Sequence, residues 1–336
     1  MKPVRILGIE TSCDETSVAI VENGRKILSE KISSQIEIHK KYGGVVPEIA
    51  SRNHLHLLPF VTQAVLEDKK MSMDDIDAVA VTYGPGLVGA LLVGLSYAKA
   101  LAYAANKPLI GVHHIKGHIA ANYLRFAELK PPFLSLVVSG GHTSILFVKE
   151  YCDIVALGKT IDDAAGEAYD KVARTLGYAY PGGPMIDKYA REGKKNAIDF
   201  PRIMLSEASL DFSFSGLKSA VLNYINSMKM KNEEICPSDV SASFQEALID
   251  VLCAKVDLAA QKTGQKTIAL SGGVASNSRL RERMAEMAQK KGYTLYIPEA
   301  RYCTDNAAMI AAHAYYEYLE GNCSDIYLNA VASLPL

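Results

Sequence analysis

His114 and His118 stand four residues apart. On a helix that spacing stacks two side chains on one face. Two imidazoles so placed can share one metal ion, with a third ligand supplied from elsewhere in the chain. The same pair also fits capping or half-buried core histidines. Its surroundings favour chemistry. It follows the apolar run Leu109-Ile110-Gly111-Val112, which reads as a strand, and open α/β sheets place ligands at the carboxyl ends of strands. His113 is adjacent, and Asp305 stands late in the chain in a suitable context.

Other stretches offer phosphate chemistry. Glu10-Thr11-Ser12-Cys13-Asp14-Glu15-Thr16 is rich in hydroxyls and acids. Such a loop can present backbone N–H groups to a phosphate and carboxylates to a metal. Cys13 has no evident base beside it and reads as a small loop filler. Ser139-Gly140-Gly141-His142 lets the backbone approach a ligand closely. Ser271-Gly272-Gly273-Val274-Ala275-Ser276-Asn277, between a strand and a helix, is a plausible nucleotide site.

The elements that must position these residues follow from hydrophobic periodicity. Strands are expected over Arg5–Ile9, Ser17–Val21 and Lys26–Ser33, with a hairpin turn at Asn23-Gly24. A helix over Pro47–Glu67 carries Ile49, Leu57, Phe60 and Val61 on its apolar side. The strand Asp77–Thr82 leads through Gly84-Pro85-Gly86 into an apolar helix, Leu87–Ala105. After the strand Leu109–Val112, the histidine helix runs from Ile115 to Tyr123. Sliding Ile6–Val21 forward by 127 positions lays it on Phe133–Val148 with the same apolar rhythm, which points to an internal duplication. Further helices are expected over Ile161–Leu176, Met185–Arg191, Leu217–Met228, Ser238–Thr263 and Ser278–Lys291, with a turn at Tyr180–Pro184. Strands follow at Lys266–Leu270 and Tyr293–Ile297. Thr304 or Asp305 is expected to cap a last helix, Ala307–Leu319.

At 336 residues the chain is long enough for two domains. It is 49% apolar and 22% charged, a globular profile, and its net charge of −1 advertises no general affinity for nucleic acid. The basic clusters Lys40-Lys41, Arg279-Arg281-Arg283 and Lys290-Lys291 read as solvated helix faces rather than an RNA track. Six scattered cysteines form no CxxC pair, as expected of reduced thiols in a cytoplasmic protein. The N-terminus is not expected to be a signal peptide, and Gly86–Ala105, which contains Lys99, reads as a buried helix rather than a membrane span.

Two β-meanders, each followed by helix–strand units, suggest two related α/β lobes with an interlobe cleft, the plan of the actin, Hsp70 and sugar-kinase (ASKHA) superfamily. The first is expected over 1–128, with 306–336 packing back on it as a C-terminal helix. The second spans 129–305 with a helical insertion near 160–240. The strings GIETSCDETS, GGVVPE, YGPGL, HHIKGH, VSGGHT, EAYDKVAR, YPGGP, FSFSGLK, ALSGGVASN and TDNAAMIA occur in this order from Gly8 to Ala311. Together they resemble the universal tRNA threonylcarbamoyladenosine synthesis family in its bacterial form, described in older usage as a glycoprotein endopeptidase.

The resemblance implies transfer of a threonylcarbamoyl group from threonylcarbamoyl-AMP to N6 of the adenosine 3′ of the anticodon, in tRNAs reading codons that begin with adenine, with release of AMP. It implies His114, His118 and Asp305 as ligands of one divalent metal ion, Fe²⁺ ahead of Zn²⁺; both suit two imidazoles and a carboxylate. Val137, Val138, Ser139, Gly140 and Gly141 would line the donor site. Asp170, Gly183, Asp187 and Asn277 would hold the adenosine moiety. The incoming amine is a poor nucleophile, so Asp14 and Glu15 are the candidates to take its proton; shaping a turn is their plainer role. Implied partners are tRNA, a shorter inactive paralogous subunit and a small P-loop ATPase. The helices Pro47–Glu67 and Leu87–Ala105 are apolar enough to face that paralogue.

Three other readings compete. A zinc peptidase would need a base inside its histidine repeat, and Ile115 follows His114. A small-molecule kinase of the same fold would use the nucleotide site without the histidines. A chaperone-like ATP-binding module would rely on Mg²⁺ and carboxylates rather than imidazoles.

Overall fold

Apolar runs punctuated by polar turns form ten strands and eleven α-helices among the described residues, 2–205 and 208–336 of the computed structural model. In chain order they are β1 Arg5–Glu10, β2 Glu15–Glu22, β3 Lys26–Ser34, α1 Ile36–His39, α2 Pro47–Asp68, β4 Ala78–Gly84, α3 Val88–Ala104, β5 Leu109–His113 and α4 His114–Ala120. Next come β6 Phe133–Val138, β7 Thr143–Val148, β8 Ile154–Lys159, α5 Ala165–Thr175, α6 Gly182–Ala190, α7 Ser215–Met230 and α8 Pro237–Thr263. The last are β9 Thr267–Ser271, α9 Ser278–Lys291, β10 Thr294–Tyr296, α10 Ala300–Cys303 and α11 Ala307–Leu319. The chain divides into two compact units.

The first unit comprises Met1–Pro131, Glu150–Ile154 and Arg301–Leu336. Its sheet has the order β3-β2-β1-β4-β5, with β1, β4 and β5 parallel. Both faces of its centre are covered, so β1 and β4 read as nearly continuous apolar runs. Ile6, Ala19, Val21, Ala80, Ile110 and Val112 pack against α11. Leu7, Ile9, Val18, Ile20, Val79 and Val81 pack against α2 and α3. Gly8 is required because α11 crosses above it: a Cβ there would lie 2.4 Å from the Ala307 carbonyl oxygen. The three parallel strands all end on one edge, delivering Glu10, Gly84 and His113 together.

The second unit comprises Pro132–Lys149 and Val155–Ala300. Its sheet order, β10-β9-β6-β7-β8, repeats that of the first strand for strand. The duplication extends to register. Ile6 faces Val21 and Phe133 faces Val148, an offset of 127 on both strands. Again the carboxyl ends of parallel strands, here β6 and β9, carry the glycine-rich loops.

Several boundaries differ from expectation for local reasons. The helix expected from Ile161 begins at Ala165. The Asp162 carboxylate instead accepts from the Phe214 N–H (2.8 Å) and the Ser213 and Ser215 hydroxyls (both 2.5 Å), tying this segment to the start of α7. The Tyr180–Pro184 turn gives way to helix at Gly182, whose N–H donates to Asp170 Oδ1 at 2.7 Å. The histidine helix ends at Ala120 and continues as a single tighter turn, Ala121–Leu124. Asn306, not Thr304 or Asp305, caps α11, its side chain accepting from the Met309 N–H at 2.8 Å. The last helix spans Ala307–Leu319 as its periodicity predicts; the rest of the 306–336 segment is not helical, and Gly321 in a left-handed turn follows the helix end. Phe60 lies 71% exposed. The buried stripe of α2 is Ala50, His54, Leu58, Val61, Thr62 and Val65, so Phe60 belongs to a second, outward apolar face.

Candidate active site

β5 ends at His113, and α4 starts at the next residue. The His113 ring caps that helix, accepting from the Ile115 N–H at 3.1 Å. The cap sets the first turn of α4 and brings His114 and His118 onto one face, their ring centroids 4.6 Å apart. Because Asn306 takes the capping duty at α11, the Asp305 carboxylate is left to meet the histidines. Its Oδ1 lies 3.5 Å from His114 Nε2 and 3.3 Å from His118 Nε2.

These three residues fit a cation. Their ligand atoms lie within 4.8 Å of one another. Donors about 2.1 Å from a common ion sit roughly 3.0–3.5 Å apart, and both contacts to Asp305 match. His118 Nε2 is buried and makes no hydrogen bond of its own. An orphaned ring nitrogen aimed at a carboxylate and a second imidazole is the signature of a ligand position. Behind His114, Glu10 Oε2 lies 3.1 Å from Nδ1 and the Ser12 hydroxyl 3.2 Å. Glu10 is itself fixed by the Thr82 hydroxyl (2.7 Å) and the Ser12 N–H (2.5 Å). A carboxylate on the far nitrogen of a ligating histidine orients the ring and raises its basicity.

The electrostatics agree. Burial opposes a charge on His114, but Asp305 and Glu10 outweigh it and push its pKa up to about 9. The field that would hold a proton on this ring is the field that attracts a divalent ion.

Asp14 and Glu15 follow in the loop that leaves β1. Glu15 is pushed up to about 9 by burial, then by Asp305 and Asp14, and it shares a hydrogen bond with Asp14. The Ser34 hydroxyl donates to Glu15 at 3.2 Å. Burial, and then Asp14, raise the Cys13 thiol well above its ordinary range, which removes it as a nucleophile. The residue that follows His114 in the repeat, Ile115, is an apolar side chain buried in the core, so the position a zinc peptidase gives to its base holds none.

In the second unit Val137 and Val138 are core residues at the end of β6. Ser139 closes the following turn, its N–H donating to the His142 carbonyl at 2.8 Å and its hydroxyl accepting from the His142 N–H at 3.1 Å. Gly140, Gly141, Gly183 and Gly273 face open space, whereas Gly166 and Gly272 are pressed against the loop. A Cβ on Gly166 would meet the Ser139 carbonyl oxygen at 2.6 Å, and one on Gly272 the Val138 carbonyl oxygen at 2.4 Å. Two glycines thus close the backbone together while others leave it bare for a ligand. Asp170 accepts from the Gly182 N–H at the start of α6. Asp187 accepts from the Ser278 hydroxyl at 2.8 Å and the Ser278 N–H at 3.3 Å. Asn277 caps α9, accepting from the Leu280 N–H, and donates to Gln245 at 2.6 Å. Its amide is thus engaged within the protein, as are parts of both aspartates.

A family described as tRNA N6-adenosine threonylcarbamoyltransferase matches residues 26–312. The chain belongs to that family. A Clostridium beijerinckii protein bearing the same description is 59% identical over 331 residues, 98% of each chain. One from Clostridioides difficile is 56% identical over 336 residues, 100% of this chain and 99% of the relative. The chain is therefore a transferase acting on tRNA adenosine. Among solved structures, full-length HypF in its phosphate- and nucleotide-bound form aligns with TM-score 0.64 at 16% identity, over 96% of this chain and 47% of that one. Component A of the Acidaminococcus fermentans (R)-2-hydroxyglutaryl-CoA dehydratase aligns with TM-score 0.54 at 15% identity, over 94% and 99%. These likenesses show a shared α/β fold.

Sequence reasoning put Glu10 and Ser12 in an acid- and hydroxyl-rich loop without pairing either with His114, and it missed Thr82 and His54. A charged residue ending an otherwise apolar strand was the available signal for Glu10, because a buried carboxylate needs a partner. The basic residues of α9 are largely committed within the unit. Arg279 and Arg283 pair with Glu246, Arg281 donates to the Ala275 and Pro298 carbonyls, and Lys291 pairs with Asp257. Among the described residues no helix is long and apolar enough to cross a membrane.

Proposed function

We propose that this chain transfers the threonylcarbamoyl group of threonylcarbamoyl-AMP to N6 of the adenosine 3′ of the anticodon, releasing AMP. The observation that carries the reading is the convergence of His114, His118 and Asp305 on one point, with Glu10 buttressing His114. Those three residues would hold a divalent ion, Fe²⁺ ahead of Zn²⁺. When bound, it supplies Lewis-acid polarisation of the donor. In the reaction the N6–carbonyl carbon bond forms and the bond from that carbon to the phosphate oxygen breaks. The electron pair leaves on AMP. The amine proton passes to the Asp14–Glu15 pair. The open backbone of Gly140 and Gly141, with Ser139, would bind the donor phosphate. Gly183, Asp170 and Asp187 would bind its adenosine, and a contact from Asn277 would require its amide to leave Gln245.

A shorter paralogue of this chain is the partner we place on α2 and α3. Leu55 and Leu92 are 63% and 43% exposed there. They line an apolar groove with Leu58, Val93, Ser96 and Tyr97. A small P-loop ATPase completes the system, and a cytoplasmic location follows from a tRNA substrate.

Product analysis tests the reaction. Preformed donor, unmodified tRNA, the partner subunits and this chain should yield AMP and threonylcarbamoyl-adenosine in equal amounts. ADP formed in step with a phosphorylated small molecule would replace this reading with a kinase.

A further inference from the structure

His54 lies on α2 and is fully buried, at 0% exposure, forty residues from the loop it touches. Its Nε2 is 2.8 Å from the Cys13 carbonyl oxygen. Its Nδ1 is 2.7 Å from the Thr16 hydroxyl and 3.4 Å from the Gln35 amide nitrogen. A carbonyl can only accept, so Nε2 carries the hydrogen and Nδ1 accepts from Thr16; the surrounding hydrogen bonds fix this tautomer. Burial disfavours a charge on the ring, in keeping with the neutral form. The two residues held are those on either side of Asp14 and Glu15. The front of the same loop is pinned by α3, where the Thr11 hydroxyl donates to the Ala90 carbonyl at 3.0 Å and the Leu87 N–H to the Ser12 carbonyl at 2.8 Å. A buried imidazole bonded on both nitrogens costs desolvation that an apolar residue would avoid. Its two bonds return an orientation of the loop.

We propose that His54 is a positioning residue for proton transfer: its neutral ring staples Cys13 to Thr16 and thereby aims the Asp14–Glu15 pair. The inference rests on the reading of that pair as the proton acceptor.

Single-turnover transfer at saturating donor, with the full chain and its partner subunits, tests it. Rates are expressed per folded protein from thermal melts. His54→Leu should slow transfer roughly 10–100-fold, while KM for donor and for tRNA stays within about twofold. His54→Gln can donate to Cys13 and accept from Thr16, and should recover to within about fivefold of the parent. Thr16→Val, which removes one hydroxyl, should slow transfer about 3–10-fold and carries the comparison if His54→Leu folds poorly. In an Asp14→Asn/Glu15→Gln background the His54 and Thr16 substitutions should cost no more than about twofold. Equal losses in both backgrounds, a glutamine no better than leucine, or a loss confined to KM would overturn the staple. The two claims separate cleanly. Wild-type transfer by Asp14→Asn/Glu15→Gln would remove the proton-acceptor reading, whereas a slow double variant beside a fast His54→Leu would remove only the staple.

Discussion

His114 sits between two carboxylates, with Glu10 on Nδ1 and Asp305 toward Nε2. A carboxylate on the far ring nitrogen orients a histidine and raises its basicity. Glu10→Gln keeps the volume but removes the charge, and should weaken metal binding about 10–100-fold. Competition with a chromophoric chelator measures it, and unchanged affinity would contradict the buttress. Glu15 supplies a pH prediction for the metal-free chain. Its ordinary value of 4.5 is raised to about 9 by burial and by Asp305 and Asp14. The native chain therefore keeps a proton that the unfolded chain has released, and the stability this contributes is lost as pH rises through that window. Glu15→Gln removes the dependence. Its thermal midpoint relative to the parent should rise between about pH 5 and about pH 9; a constant difference would contradict the shift. His114 and His118 stood out by spacing and Asp305 by its context, while their grouping as one ligand set came from the resemblance. Glu10 and His54 did not stand out, because each acts through the fold. One pairs across 104 positions of sequence and the other across 41.

At the scale of elements, the glycines divide into two kinds with opposite expected effects. Gly272 has φ +88°, and a Cβ would lie 2.4 Å from the Val138 carbonyl oxygen. Gly272→Ala should cost about 1–3 kcal/mol of stability by strain and displacement of β6. Gly140 faces open space. Gly140→Ala should leave the thermal midpoint nearly unchanged and raise KM for the donor, as a Cβ enters the space the ligand needs. Denaturation curves and donor titrations separate the two, and the reverse pattern would contradict the roles assigned. The central strands β1, β4 and β6 were readable because they are buried along nearly their whole length and their runs are mostly apolar. Helix starts were less so. Asp162 could as well have begun a helix as bonded to Ser213 and Ser215, and Asn306 competed with two equally good caps beside it. Those choices are decided by contacts distant in sequence, Thr160 with Phe212 and Asp305 with His118.

Across the whole chain, one strand order occurs twice with the same 127-residue offset in its hairpins. Few identities survive between the copies, so the pattern of burial rather than residue type preserves the duplication. The loops of the two hairpins have diverged: Thr11–Asp14 in the first carries hydroxyls and an acid, and Ser139–His142 in the second carries two adjacent glycines. The outward face of α2 and α3 has no counterpart in the core. Leu55→Asp with Leu92→Asp should leave the chain folded and abolish co-elution with the paralogous subunit; co-elution of the variant would move the docking surface elsewhere. The central claim is that His114, His118 and Asp305 hold the ion on which transfer depends. Its most direct measurement pairs metal content with labelled-threonine transfer to unmodified tRNA, comparing the parent with His114→Ala/His118→Ala in the presence of both partner subunits. The parent is expected to hold about one ion per chain and the variant none, with label in tRNA lost in step. Full transfer by a variant that has lost its metal would contradict it.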